Sequence, residues 1–113
     1  MADSPGVIGF SKEYLEGIAL FNEGKFFEAH EVWESVWLRS QGQSRLYYQA
    51  LIQTAAARVH VQKGNRVGAS NLHRLALEKF SRLPDCMLGL DINDFTARLS
   101  LDKNAFPKIT LSG

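Results

Sequence analysis

The residues best placed to do chemistry lie in one short run, Glu28-Ala29-His30-Glu31-Val32-Trp33-Glu34. A turn of roughly 100° per helical residue puts Phe26, Ala29, His30, Trp33, Glu34 and Trp37 on one arc, with Phe27 and Leu38 at its edges. His30 and Glu34 then stand one turn apart inside an apolar stripe, where an ionisable group is costly unless paired. An imidazole and a carboxylate at that spacing can chelate one ion, so a divalent metal on His30 and Glu34 is one expectation. The competing expectation is structural: His30 donates to Glu34 or to a facing carbonyl and locks two helices together.

A second polar line follows on the third predicted helix, where Gln49, Gln53, Ala56 and His60 recur at i, i+4, i+7 and i+11. His73 falls with Ala69, Ala76, Leu77 and Phe80 on the fourth. Short turns bring such faces together, so convergence of the three histidines is an arrangement to look for. Glu-x-x-His pairs of the di-iron bundles, a Gly-x-Ser-x-Gly elbow and a Gly-rich phosphate loop are all missing from the chain.

Five helices must position these residues. Ser11 caps the first, with Glu13 in its first turn and Tyr14, Ile18 and Phe21 as its apolar line. It ends at Gly24, and the three-residue link through Lys25 forces the second helix, about Lys25 to Arg39, to fold back. A polar loop over 40–44 ends in Ser44 as the cap of a third helix, Arg45 to Lys63. Gly64 supplies the left-handed closing residue and Asn65 caps a fourth helix, Arg66 to Arg82, which Pro84 terminates. A short fifth helix starts at Asp91 or Asn93, with Ile92, Phe95 and Leu99 on one face. Residues 1–10 are expected to be a flexible segment, 11–102 a single bundle domain, and 103–113 a tail, with Phe106 to Leu111 the only stretch that alternates like a strand. The fold class is therefore all-α, a compact bundle of four to five antiparallel helices built from αα-hairpins.

Composition narrows the setting. The 113 residues are 45% apolar and carry 13 basic against 12 acidic side chains, a net charge of +1. One core is expected, and no overall field draws the chain to nucleic acid or an anionic membrane. Arg45, Arg58, Arg66, Arg74, Lys79 and Arg82 could line an anion-binding edge, but Glu78 interrupts it, and solvated helix faces look the same. The lone Cys86 has no disulfide partner, and the first residues, Met-Ala-Asp-Ser-Pro-Gly, have no signal-peptide pattern, which points to the cytoplasm.

The pattern Phe21-Asn22-x-Gly24-x-Phe26-Phe27-Glu28-Ala29-His30-Glu31-x-Trp33-Glu34-x-x-Trp37 resembles the signature of the family called domain of unknown function 309. Leu51-Ile52-Gln53 and Gly64-Asn65-x-x-Gly68-Ala69-x-x-Leu72 resemble its later blocks, so the likeness covers about Phe21 to Leu72. Ala50 stands where the family commonly has Gly. The resemblance implies a compact all-helical fold and no activity. It marks His30, Glu31, Glu34, Trp37 and Gln53 as the residues of interest.

Three functions fit these readings. The first is a groove of His30, Glu34, Gln53 and His60, flanked by Glu31, Trp37 and Gln49, that binds a protein partner or small ligand without catalysis, with a homodimer as one form of partner. The second is a metal-dependent hydrolase-like enzyme with His30 and Glu34 on the ion and Glu31 as base. The third is a tetratricopeptide-like module whose first hairpin presents aromatics such as Trp33 to a peptide.

Overall fold

A computed structural model describes residues 10–112, so the expected flexible segment 1–10 lies, Phe10 aside, outside the described residues. Five α-helices follow one another: α1 Lys12–Asn22, α2 Phe26–Trp37, α3 Gly42–Gln62, α4 Arg66–Phe80 and α5 Ile92–Arg98. Between α4 and α5 lies one two-stranded antiparallel sheet, β1 Cys86–Met87 with β2 Leu90–Asp91. The all-α class holds. The hairpin is an addition that two-residue strands are too short to announce by alternation; its turn carries Leu88 at φ 49°.

Local signals set most boundaries. Ser11, Asn65 and Asp91 each accept a backbone N–H three residues on, from Tyr14, Gly68 and Asp94, satisfying one of the amides a helix start leaves free. The turns α1–α2 and α3–α4 share one form. Gly24 (φ 82°) and Gly64 (φ 77°) take left-handed backbone while Lys25 N donates to Leu20 O and Asn65 N to His60 O, both at 2.9 Å. The start of α3 differs from the expected Ser44 cap: Gly42, at φ 63°, turns the chain into the helix three residues earlier, and Gln41 occupies the cap position without a side-chain bond.

Neighbouring helices run antiparallel. Arg39 at the end of α2 reaches Glu13 at the start of α1, the Arg58 guanidinium of late α3 lies over the Phe26 ring of early α2, and Tyr47 of early α3 meets Phe80 of late α4. The core includes Tyr14, Phe21, Phe26, Trp33, Tyr47, Leu51, Phe80 and Phe95. Helices α1 and α2 approach closely because Gly17 has no Cβ: one built there would stand 2.1 Å from Trp33 Nε1. Trp33 itself is fully buried and donates to Tyr14 O at 3.2 Å. It is therefore a core residue, not an aromatic offered to a peptide.

The segment read as a tail, from Lys103 on, is built into this core. Pro107 and Ile109 are buried, and the Phe106 ring packs edge-on against Phe21 and Phe26. Asn22 holds the segment from both sides, its Nδ2 donating to Ile109 O (2.9 Å) and its Oδ1 accepting from Ile109 N (2.7 Å). No strand forms over Phe106 to Leu111, since its backbone pairs with a side chain instead of a ladder.

Candidate functional site

On the α2–α3 face, the apolar stripe of α2 sends Phe26, Ala29, Trp33 and Val36 into the core. His30 and Trp37 sit at its edge, half-buried, and Glu34 is exposed. The wheel thus places Glu34 too deep: its long side chain leaves the stripe for solvent, as a carboxylate without a counter-ion must. Opposite, Gln49 and Gln53 stand half-buried on α3. Glu34, Trp37, Gln49, Ile52 and Gln53 line a depression of about 160 Å³.

The polar atoms of this helix pair are unusual, two of them at the depression and one, on His30, outside its lining. Trp37 Nε1, Gln53 Oε1 and His30 Nδ1 are each shielded from solvent and have no hydrogen-bond partner. Most buried polar atoms in folded proteins are satisfied, so three on one helix pair mark a place where partners are missing. The indole is held firmly: the Arg45 guanidinium lies 4.0 Å from the centre of the Trp37 ring, and Arg45 Nη1 donates to Trp37 O at 3.1 Å. His30 stacks on the half-exposed Phe27 ring at 5.9 Å. Among the described residues no partner meets His30 Nδ1, so the expected polar lock is not formed through that atom.

The remaining sequence candidates lie elsewhere. Glu31 is exposed and does not line the depression. His60 does not join Gln49 and Gln53. Asn65, whose Oδ1 accepts Gly68 N, donates through Nδ2 to His60 Nδ1 at 2.9 Å, so the ring is captured by the next helix cap. Gly68 leaves room for this pair, because a Cβ there would stand 2.9 Å from His60 Nδ1. The Gly64-Asn65-x-x-Gly68 block is thus a turn, a cap and a clearance. Among the described residues no three His, Cys, Asp or Glu side chains are grouped to hold a metal, and the three histidines do not converge. His73 is half-buried on α4, where desolvation lowers its pKa below the ordinary 6.5.

Two polar arrangements of the core escape the helical wheel. The Tyr14 hydroxyl donates to Leu88 O (2.9 Å) and so receives the Tyr47 hydroxyl (2.6 Å), and burial raises the pKa of both phenols. Arg58, 2% exposed, donates to Ser100 O (2.8 Å), Lys103 O (3.2 Å) and Ala105 O (3.3 Å) between the rings of Phe26 and Phe106. It is a clasp on the last segment and not part of an exposed anion-binding edge. An arginine amid apolar residues of a helix was the available signal; its acceptors, all backbone carbonyls, carry none.

A sequence model of the family described as Domain of unknown function (DUF309) matches residues 14–72. Over 97 residues the chain is 30% identical to an uncharacterised protein of Aquifex aeolicus, a match that covers 82% of this chain and 29% of that protein. The chain thus spans less than a third of the length of this relative. The turns of both α-helical hairpins, the Trp33–Gly17 contact and the His60–Asn65–Gly68 capture fall within the matched residues: the chain belongs to the DUF309 family.

Proposed function

We propose that the α2–α3 face is a recognition surface that takes up one hydrogen-bonding side chain of a protein partner, without catalysing a reaction. The observation that carries this reading is the unpartnered set Trp37 Nε1, Gln53 Oε1 and His30 Nδ1 along one helix pair. Once an incoming group moves aside the side chains that shield them, Trp37 Nε1 and Gln53 Oε1 supply a donor and an acceptor beside the open carboxylate of Glu34. At about 160 Å³ the depression is smaller than the ~300–1,000 Å³ of typical small-molecule sites. That favours an inserted side chain over a free ligand. In the Aquifex aeolicus relative the matched stretch is 29% of the chain, so there the fold sits within a larger polypeptide, a setting suited to a face for another protein surface. The compartment proposed is the cytoplasm, on the exposed free thiol of Cys86. No helix among the described residues is long and apolar enough to cross a membrane.

The test is a double variant, Trp37→Phe with Gln53→Leu, which removes two orphaned polar atoms, at nearly constant volume for Gln53 and with the loss of one ring for Trp37. Replacing unsatisfied polar groups by apolar ones of similar shape is neutral or stabilising, at Gln53 by up to about 1 kcal/mol. The expected result is a protein that keeps its cooperative unfolding in urea but no longer crosslinks, through a photoreactive group at position 49, to a protein the parent captures. Identical crosslinks from both would end the proposal.

A further inference from the structure

A larger cavity, about 370 Å³, opens near the other end of α3, between the α3–α4 turn and residues 101–103. Gln53 and Val61 are eight residues apart on one helix, roughly 12 Å along its axis, so this cavity is separate from the α2–α3 depression. Its volume lies within the usual range of small-molecule sites, ~300–1,000 Å³. Val61, Ala69 and Leu101 give it an apolar lining; Arg66, Ser70 and Lys103 supply the polar groups, and no acidic side chain lines it.

The charges here are unbalanced. Neither Arg66 nor Lys103 belongs to an ion pair among the described residues, whose four pairs all lie elsewhere. A third cation stands behind the wall: buried Arg58 grips the carbonyls of Ser100, Lys103 and Ala105 and so fixes the stretch that carries Leu101 and Lys103. The acid of that stretch, Asp102, does not line the cavity, and its Oδ1 accepts Asn104 N at 2.9 Å. Cations from two separate segments thus face an apolar hollow with a wall anchored from inside. Such a hollow suits a compact apolar body bearing a negative head group, because the apolar part is desolvated and the anion meets two donors able to bond it.

We propose that this cavity binds a small organic anion, a ring-sized apolar body carrying a carboxylate or a phosphate. The experiment is titration of the ¹⁵N-labelled full chain with benzoate, phenyl phosphate, benzyl alcohol and inorganic phosphate, followed by amide shifts. Benzoate or phenyl phosphate should produce saturable shifts at Val61, Ala69, Ser70 and Leu101, and the tighter of the two names the head group. Benzyl alcohol and inorganic phosphate should each bind at least ten-fold more weakly, lacking the charge or the ring. The double variant Arg66→Gln with Lys103→Gln, both exposed side chains whose loss leaves the fold's spectrum intact, should lose at least ten-fold in affinity for the aromatic anion. The proposal is overturned by an absence of saturable shifts with either aromatic anion. It is overturned equally by benzyl alcohol or inorganic phosphate binding as tightly, or by undiminished binding in the double variant.

Discussion

Polar groups meet apolar surroundings in two regions of this molecule, with opposite outcomes. On the side closed by the last segment, Arg58, Asn22 and the Tyr14–Tyr47 pair find acceptors or donors in backbone far along the chain. On the α2–α3 face, Trp37 Nε1, Gln53 Oε1 and His30 Nδ1 find none. The first region is finished by the fold itself but for Arg58 Nε, the one atom of its guanidinium left without an acceptor. In the second, hydrogen-bonding capacity is left over, and it lies where α2 and α3 meet the surface of the described residues.

Breaking the finished region should cost most. Arg58→Ala removes three charge-assisted bonds and the stem between two rings, and unfolding in urea should show a loss of about 3 kcal/mol, with amide exchange of residues 100–109 accelerated before the rest. Tyr14→Phe strands Leu88 O and takes the acceptor from the Tyr47 hydroxyl; about 1–2 kcal/mol should be lost by the same measurement. Gln53→Leu on the open face should instead be neutral or slightly stabilising. A loss above about 1 kcal/mol would show that its amide already has a partner and would erase the contrast between the regions. The smallest effect concerns pH. Because burial lowers the pKa of His73 in the folded state, the unfolded chain binds its proton first, so stability falls as pH drops through about 6.5. His73→Asn should flatten that part of the stability–pH curve; an unchanged slope would assign it to other groups.

What the sequence makes legible follows the range of the interactions. Ser11, Asn65 and Asp91 announce their helices because a cap acts three residues away, and the hairpins follow from Gly24 and Gly64. The Gln49–Gln53 line is visible because one turn of helix defines it. Capture of His60 turns on a side chain five residues on, across a turn, which a wheel of α3 alone cannot contain. The exposure of Glu34 is not legible on a wheel, which gives direction from the axis and not the reach of the side chain. Arg58 was least legible: its acceptors lie 42, 45 and 47 residues downstream on residues of no particular type. The packed last segment went unread for the same reason.

The Asn22–Ile109 clasp has a consequence for how the chain reaches this state. Helices α1 to α4 pack mainly against their sequence neighbours, so their contacts close short loops, which form fast. The clasp closes a loop of 87 residues and has to wait for the rest. Folding should therefore finish in two stages, an early four-helix body with a wet seam beside Phe21 and Phe26, and a later sealing by Phe106 and Ile109. Stopped-flow traces of the natural tryptophans, one of them packed on Phe21, would time the first stage, and a dye placed near Ile109 the second.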